Sequence, residues 1–263
     1  MNFSKKLNSE GETSLLQTIT VAGLIIAAFV IGMLWTKVQT FEKSGGKNNV
    51  AANNGGTKVG GTEPNTFPDP TAPKKEIKVQ AVEENDHVRG NRQSRIALIE
   101  YSDLECPFCK RFHTTAIQML DKYKDKVMWV YRHFPLDSIH SKARKEAAAS
   151  ECVATLGGED KFWAFIDKIY EITPGNNGLD PTKLSETAQS LGIDLTAFDT
   201  CLAGQEAYQA VSADLESGLS AGITGTPGNL LLDTTTGKVT EIPGAVPLDQ
   251  LEQSIDQLLS EAQ

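Results

Sequence analysis

Two thiols separated by two residues, in Cys106-Pro107-Phe108-Cys109, are the side chains whose type and spacing could do chemistry in this chain. Such a pair can close into a disulfide and reopen, exchanging two electrons with another pair of thiols. That requires one sulfur to ionise readily, because the thiolate and not the thiol attacks. The run Arg95-Ile96-Ala97-Leu98-Ile99-Glu100-Tyr101 reads as a buried strand ending at the turn-like Ser102-Asp103. Phe112, Ile117, Met119, Leu120 and Tyr123 then recur at roughly helical spacing. Cys106 is thus delivered onto the first turn of a helix, where unpaired N–H groups and the positive helix end favour a charged sulfur.

Two other uses of the motif stay open on spacing alone. Half of a zinc site would need two more ligands; neither Cys152 nor Cys201 lies in a second CxxC, and His113 leaves a fourth ligand missing. A static bridge in a redox-inert binding or chaperone domain is the other. No metal and no cofactor are expected. Cys152 and Cys201 are either a second disulfide or two buried reduced thiols. As a bridge they would close a loop of 50 residues, worth about 4 kcal/mol in the chain-entropy account. That option suits a domain outside the cytosol.

The elements that must position these residues follow a composition gradient. Residues 1–14 form a short N-terminal segment with Lys5 and Lys6, followed by an uncharged stretch from Thr13 to Thr36. Leu15 to Trp35 is 21 residues, long enough as a helix to cross a bilayer core of about 30 Å. A cleaved signal peptide competes, but Gly32-Met33-Leu34-Trp35-Thr36 is a poor small-x-small cleavage site. An uncleaved anchor is therefore expected, with the N-terminus cytoplasmic and the cysteines on the oxidising side. Residues 36–75 are the expected tether, and Ser44 to Lys75 is rich in Gly, Asn, Thr and Pro. The first 75 residues hold 8 Lys against 5 acidic side chains, or +3, so a net charge of −9 leaves −12 on the remainder. A field of that sign repels nucleic acid.

Residues 76–263 alternate between strand and helix patterns. Strands are expected at about Ile77 to Val82, Ile96 to Tyr101 and Val127 to Tyr131. A helical stretch follows from about 141 to 203, broken at Gly157-Gly158, at 174–178 and at Gly192. A helix from Gln205 to Ala221 precedes two strands, Leu230 to Leu232 and Val239 to Ile242. The last helix runs from Leu248 to Leu259, with Leu248, Leu251, Ile255, Leu258 and Leu259 on one face. The four histidines have no spacing that demands catalysis, and Trp129, Trp163, Phe162 and Phe165 read as core or interdomain contacts.

The run Glu100 to Lys110 resembles the active-site signature of the bacterial DsbA-like thiol:disulfide oxidoreductases, within the thioredoxin superfamily. His133-Phe134-Pro135-Leu136 with His140, the Ala147–Cys152 segment and Gly222 to Gly228 are similar to that family too. The resemblance covers about Asp86 to Gln263. It implies an α/β thioredoxin-like core with an inserted α-helical subdomain. Cys106 is then the nucleophile, its pKa lowered by the helix end, Lys110 and Arg111, with Pro107 at the first helical position. Cys109 is the resolving thiol, and Glu100 a buried carboxylate that exchanges its proton. Thr226-Pro227 resembles the superfamily's cis-proline loop, though Gly228-Asn229 after it departs from the usual larger and aromatic residues. Phe108 stands where strongly oxidising relatives often have His, which places the Cys106 pKa below a free thiol's but above about 3.5. The implied substrates are cysteine-containing translocated proteins, with reoxidation by a quinone-linked membrane protein.

Overall fold

Strands β2 (Ile96–Ser102) and β3 (Val127–His133) are buried along their whole length, so the sheet must be covered on both faces. The computed structural model describes residues 78–261. In it, β1 (His87–Arg89), β4 (Gly228–Asp233) and β5 (Val239–Ile242) complete a five-stranded sheet of order β1-β3-β2-β4-β5. The β2–β3 pair is parallel and the other three are antiparallel. Its crossover is α1 (Pro107–Tyr123), which buries Phe112 and Met119 against Leu98, Trp129 and Leu231. The last helix, α7 (Leu248–Ser260), adds Leu251 and Ile255 to that layer. Ile99, Val130 and Leu230 point to the opposite face and cluster with Phe134, Ala221 and Ile223.

Between β3 and β4 the chain forms α2 (Ala143–Gly157), α3 (Glu159–Ile172), α4 (Thr182–Ser190), α5 (Leu195–Ala203) and α6 (Glu206–Ala221). The first four are the helical insertion. Its breaks fall at left-handed backbone: Gly158 at φ 82°, Gly175, Asn176 and Asn177 at φ 76°, 53° and 64°, and Gly192 at φ 74°. Cys152 of α2 and Cys201 of α5 are joined as a disulfide, with Cα atoms 5.8 Å apart.

One expected strand is corrected. Residues 78–82 form no strand, and the edge position belongs to His87–Arg89. Val79 and Val82 do pack on the sheet. Their neighbours' carbonyls, Gln80 and Ala81, accept from the Arg132 guanidinium at 3.2 and 3.0 Å and not from a ladder. The buried guanidinium in turn pairs with Asp86 at 2.8 Å. Among the described residues no helix is long and apolar enough to cross a membrane. The expected N-terminal segment (1–14), anchor (15–35) and tether (36–75) lie outside those residues.

Candidate active site

Cys106 is the N-cap of α1, in extended conformation, and Pro107 occupies the first helical position, where an N–H would have had no partner. The sulfur is only slightly open to solvent, with 4% of the residue exposed. Its thiol donates to the Thr226 carbonyl at 3.5 Å, and the Thr226-Pro227 bond is cis. A hydrogen bond from Cys109 lowers the Cys106 pKa most; burial opposes it, and the Thr226 side chain and the N–H groups of Cys109 and Phe108 help bring it to about 6. The Lys110 ammonium, expected to help, is tied instead to the carbonyls of Glu171 and Thr173 at 3.2 and 2.6 Å. Arg111 lies over the Phe108 ring at 5.1 Å. Phe108 itself is 55% exposed, beside the reactive sulfur.

Cys109 lies one turn deeper and is fully buried. Burial first, then the Cys106 sulfur and the negative charge of Glu100, push its pKa well above the usual thiol range. Glu100 is also fully buried, on β2. The Ser102 hydroxyl donates to its Oε1 at 2.6 Å and Trp129 Nε1 to its Oε2 at 3.0 Å. Burial outweighs both bonds and raises the Glu100 pKa to about 7. Ser102 Oγ also meets the Tyr170 hydroxyl of α3 at 2.8 Å, and that hydroxyl meets Tyr131 at 3.1 Å. Among the described residues no group of three or more His, Cys, Asp or Glu is placed to hold a metal.

The fold that carries this site, with a helix-capping thiol beside a cis-proline turn and a buried acid on the neighbouring strand, has relatives among known proteins. Residues 82–256 match the family model described as Thioredoxin. The chain belongs to the thioredoxin family. Within it the chain is DsbA-like. Crystal structures include Pseudomonas aeruginosa DsbA2, 30% identical with a TM-score of 0.58, covering 68% of this chain and 97% of that one. Wolbachia pipientis alpha-DsbA1 shares the fold, with a TM-score of 0.60 at 24% identity over 69% of this chain and 94% of that one. Among curated proteins, the Na(+)/H(+) antiporter NhaA 3 of Salinispora tropica is 31% identical over 144 residues, 55% of this chain and 21% of the antiporter. NhaA 1 of Mycolicibacterium gilvum is 32% identical over 146 residues, 55% of this chain and 23% of its own length. The chain spans about a fifth of the curated relatives it matches.

The DsbA-like site brings Glu100, Cys106, Pro107, Phe108, Cys109, Thr226 and Pro227 together, while Cys152 and Cys201 serve the insertion by tying α2 to α5. Three further groups are recruited that the sequence reading did not single out. Asp103 caps the turn before the thiol: its Oδ1 accepts from the Glu105 N–H at 2.8 Å. Its Oδ2 accepts from the Leu136 N–H at 2.8 Å and pairs with His140 Nδ1 at 3.0 Å. Glu105 reaches the insertion. Its carbonyl accepts from the Asn176 N–H at 2.8 Å, and its carboxylate from Gly178 and Leu179 at 3.2 and 3.3 Å. Burial, then contact with Glu105, raise the pKa of the adjoining Glu146 to about 9. Ser102 and Tyr170 form the third group. Ser102 lies inside the quoted signature, but the turn-like Ser102-Asp103 hid its place as the last residue of β2. Tyr170 gives no sequence signal, since only the folding of the insertion carries it to the site. All four histidines are buried, as packing residues would be.

Proposed function

We propose that this chain is a thiol:disulfide oxidoreductase that oxidises cysteine pairs of translocated proteins through the Cys106/Cys109 couple. The observation that carries the reading is the placing of two sulfurs on one helical turn, Cys106 capping the helix against the cis Thr226-Pro227 turn and Cys109 fully buried behind it, which lowers the first pKa and raises the second. A substrate thiolate attacks Cys106 of the disulfide form. The bond between Cys106 and Cys109 breaks, and Cys109 leaves with the electron pair and takes up a proton. A second substrate thiolate then attacks the substrate sulfur of the mixed disulfide, closing the substrate's bridge. Cys106 departs as a thiolate, the leaving group that its low pKa favours. Glu100 is the proton source and sink for Cys109, and the turn at Thr226-Pro227 lines the approach to the nucleophile.

A second reading, a reductase or isomerase using the same site, draws support from the Cys106 pKa itself. A value of about 6 lies nearer thioredoxin's of about 7 than that of the strongest oxidant at about 3.5. The expected potential falls between about −270 and −120 mV. Equilibration of the purified chain in glutathione buffers measures it, and a value outside that interval refutes the proposal. A Cys106→Ser chain that still oxidises a reduced, unfolded substrate refutes the assignment of the nucleophile.

The apolar run 15–35 supports a single-pass anchor, cytoplasmic N-terminus and extracytoplasmic catalytic domain on a 36–75 tether. Reoxidation is assigned by family resemblance to a quinone-linked membrane protein. Modification of Cys106 by a membrane-impermeant thiol reagent, in intact cells first treated with dithiothreitol to open the disulfide, tests this orientation, and a Cys106 still protected after reduction refutes it.

A further inference from the structure

Asn229 is a polar side chain in a buried place, two residues past the cis Thr226-Pro227 bond and 1% exposed. In the β2–β4 ladder it stands directly opposite Glu100, and the next pair on the same face is Leu98 with Leu231. Opposed residues of an antiparallel pair carry their Cβ atoms about 5 Å apart on one face, so the amide lies beside the buried acid. Its Nδ2 donates to the Gly244 carbonyl at 2.8 Å. Gly244 follows β5, on the side of β4 away from β2, which turns the amide oxygen back toward Glu100. Reversing the amide would set two acceptors against each other at Gly244, so this orientation is fixed. Among the described residues Asn229 Oδ1 has no hydrogen-bond partner. A buried acceptor without a donor is unfavourable, and the geometry points to the proton of Glu100 as the donor that Asn229 lacks. Asn229 is then a positioning residue for the acid. This rests on the oxidoreductase reading above and adds a residue to it.

The other partners of Glu100 leave room for this role. Ser102 gives its proton to Oε1 at 2.6 Å, and Trp129 Nε1 donates to Oε2 at 3.0 Å. An indole N–H donates and never accepts, so a proton carried on Oε2 finds no acceptor in Trp129. While Glu100 is a carboxylate, it and the Asn229 oxygen both offer lone pairs, and no hydrogen bond joins them. Protonation supplies the hydrogen, with Oε2–H donating to Asn229 Oδ1. The titratable groups that face Glu100 are Cys106 and Cys109 of α1, Tyr131 of β3 and Tyr170 of α3. From β4 it meets the uncharged amide. Asn229 thus favours the neutral acid over the carboxylate and keeps a proton in store for Cys109 when the disulfide opens. The aromatic residue usual at this place in the family has no amide oxygen to offer.

The test follows the carbonyl stretch of protonated Glu100 against pH, by infrared difference spectroscopy of the full-length reduced chain. Loss of the band in Glu100→Gln assigns it. In Asn229→Leu the midpoint falls by about one pH unit, the worth of one hydrogen bond, and the stretch moves to higher frequency as the acid loses its acceptor. In Asn229→Asp, which keeps an oxygen at the same place, the midpoint stays or rises. Asn229→Val, with a side chain suited to a strand, repeats the comparison should the leucine chain fail to fold. A midpoint unmoved or raised in Asn229→Leu overturns the proposal. So does a midpoint lowered equally by leucine and by aspartate, as a merely displaced strand would lower it. The oxidoreductase reading fails separately, if reduced Cys106 of the unaltered chain reacts with a soluble disulfide no faster than a free thiol does.

Discussion

The Thr226 hydroxyl is buried and has no hydrogen-bonded partner while Cys106 is a thiol. An ionised Cys106 sulfur is the acceptor it lacks, which is why this side chain favours the thiolate. Thr226→Val should therefore raise the Cys106 pKa from about 6 by about one pH unit, the worth of one hydrogen bond. Thiolate absorbance followed against pH reads this directly, and an unmoved titration shows that the backbone N–H groups suffice. Glu100 yields a second expectation. Its folded pKa of about 7 exceeds the usual 4.5, so the native state holds a proton that the unfolded chain has lost. Stability then falls as pH rises between those values, by about 3 kcal/mol in total. Glu100→Gln removes that loss but leaves Trp129 or Ser102 mismatched at a cost of about 1 kcal/mol. The variant should be more stable than the parent by about 2 kcal/mol at pH 8 and no more stable at pH 4. Denaturant midpoints at the two pH values check this.

At the scale of elements, one imidazole helps hold β1 to the insertion, beside the Val88 N–H on Glu159 and the Arg89–Asp167 pair. His87 stacks on Phe162 of α3 with ring centroids 3.5 Å apart. It also pairs with Glu151 of α2 at 3.2 Å and Glu159 of α3 at 2.9 Å. Burial alone would lower its pKa, but the two carboxylates raise it to about 9, while Glu151, despite its burial, is held down to about 2 by His133 and His87. The His87 contribution is complete below its ordinary 6.5 and is lost as pH rises through 9. The Glu151 contribution is complete above 4.5 and lost as pH falls toward 2. Thermal unfolding should show stability declining by about 2–3 kcal/mol between pH 6.5 and 9.5, and His87→Gln should flatten that slope. A parent slope already flat over this range would show that His87 is neutral in the fold. Such a clamp was not legible beforehand. A three-residue strand reading His-Val-Arg offers no alternation, whereas the apolar Val79 and Val82 imitate a strand that the ladder never receives. By contrast β2, β3, α1 and α7 were legible, because unbroken apolar runs and one-sided helices leave their backbones few alternatives.

Across the whole molecule the insertion and the core meet at the reactive turn. Gly175, at φ 76°, would place a Cβ 3.1 Å from the Glu105 carbonyl and 3.2 Å from the Pro107 ring. Gly175→Ala combines left-handed strain with that collision, and should cost about 1–3 kcal/mol. It should also slow Cys106 alkylation by pushing the helix start away from Thr226. Stability lowered with alkylation unchanged would mean that the loop yields and the turn does not. The CxxC motif and its acid were readable from local pattern, but this docking was not. It joins Glu105 to Asn176, Gly178 and Leu179 across some seventy positions, and no periodicity encodes it.

That joint gives the Cys106 sulfur a second use as a sensor of the fold around it. Because Glu105 grips the 175–179 loop on one side and leads directly into Cys106 on the other, departure of the loop is transmitted to the helix cap within one residue. A simple alkylation rate therefore becomes a gauge of whether the inserted helices are seated. It needs no reporter group, and in a crude extract it would tell properly assembled molecules from those whose core alone has formed.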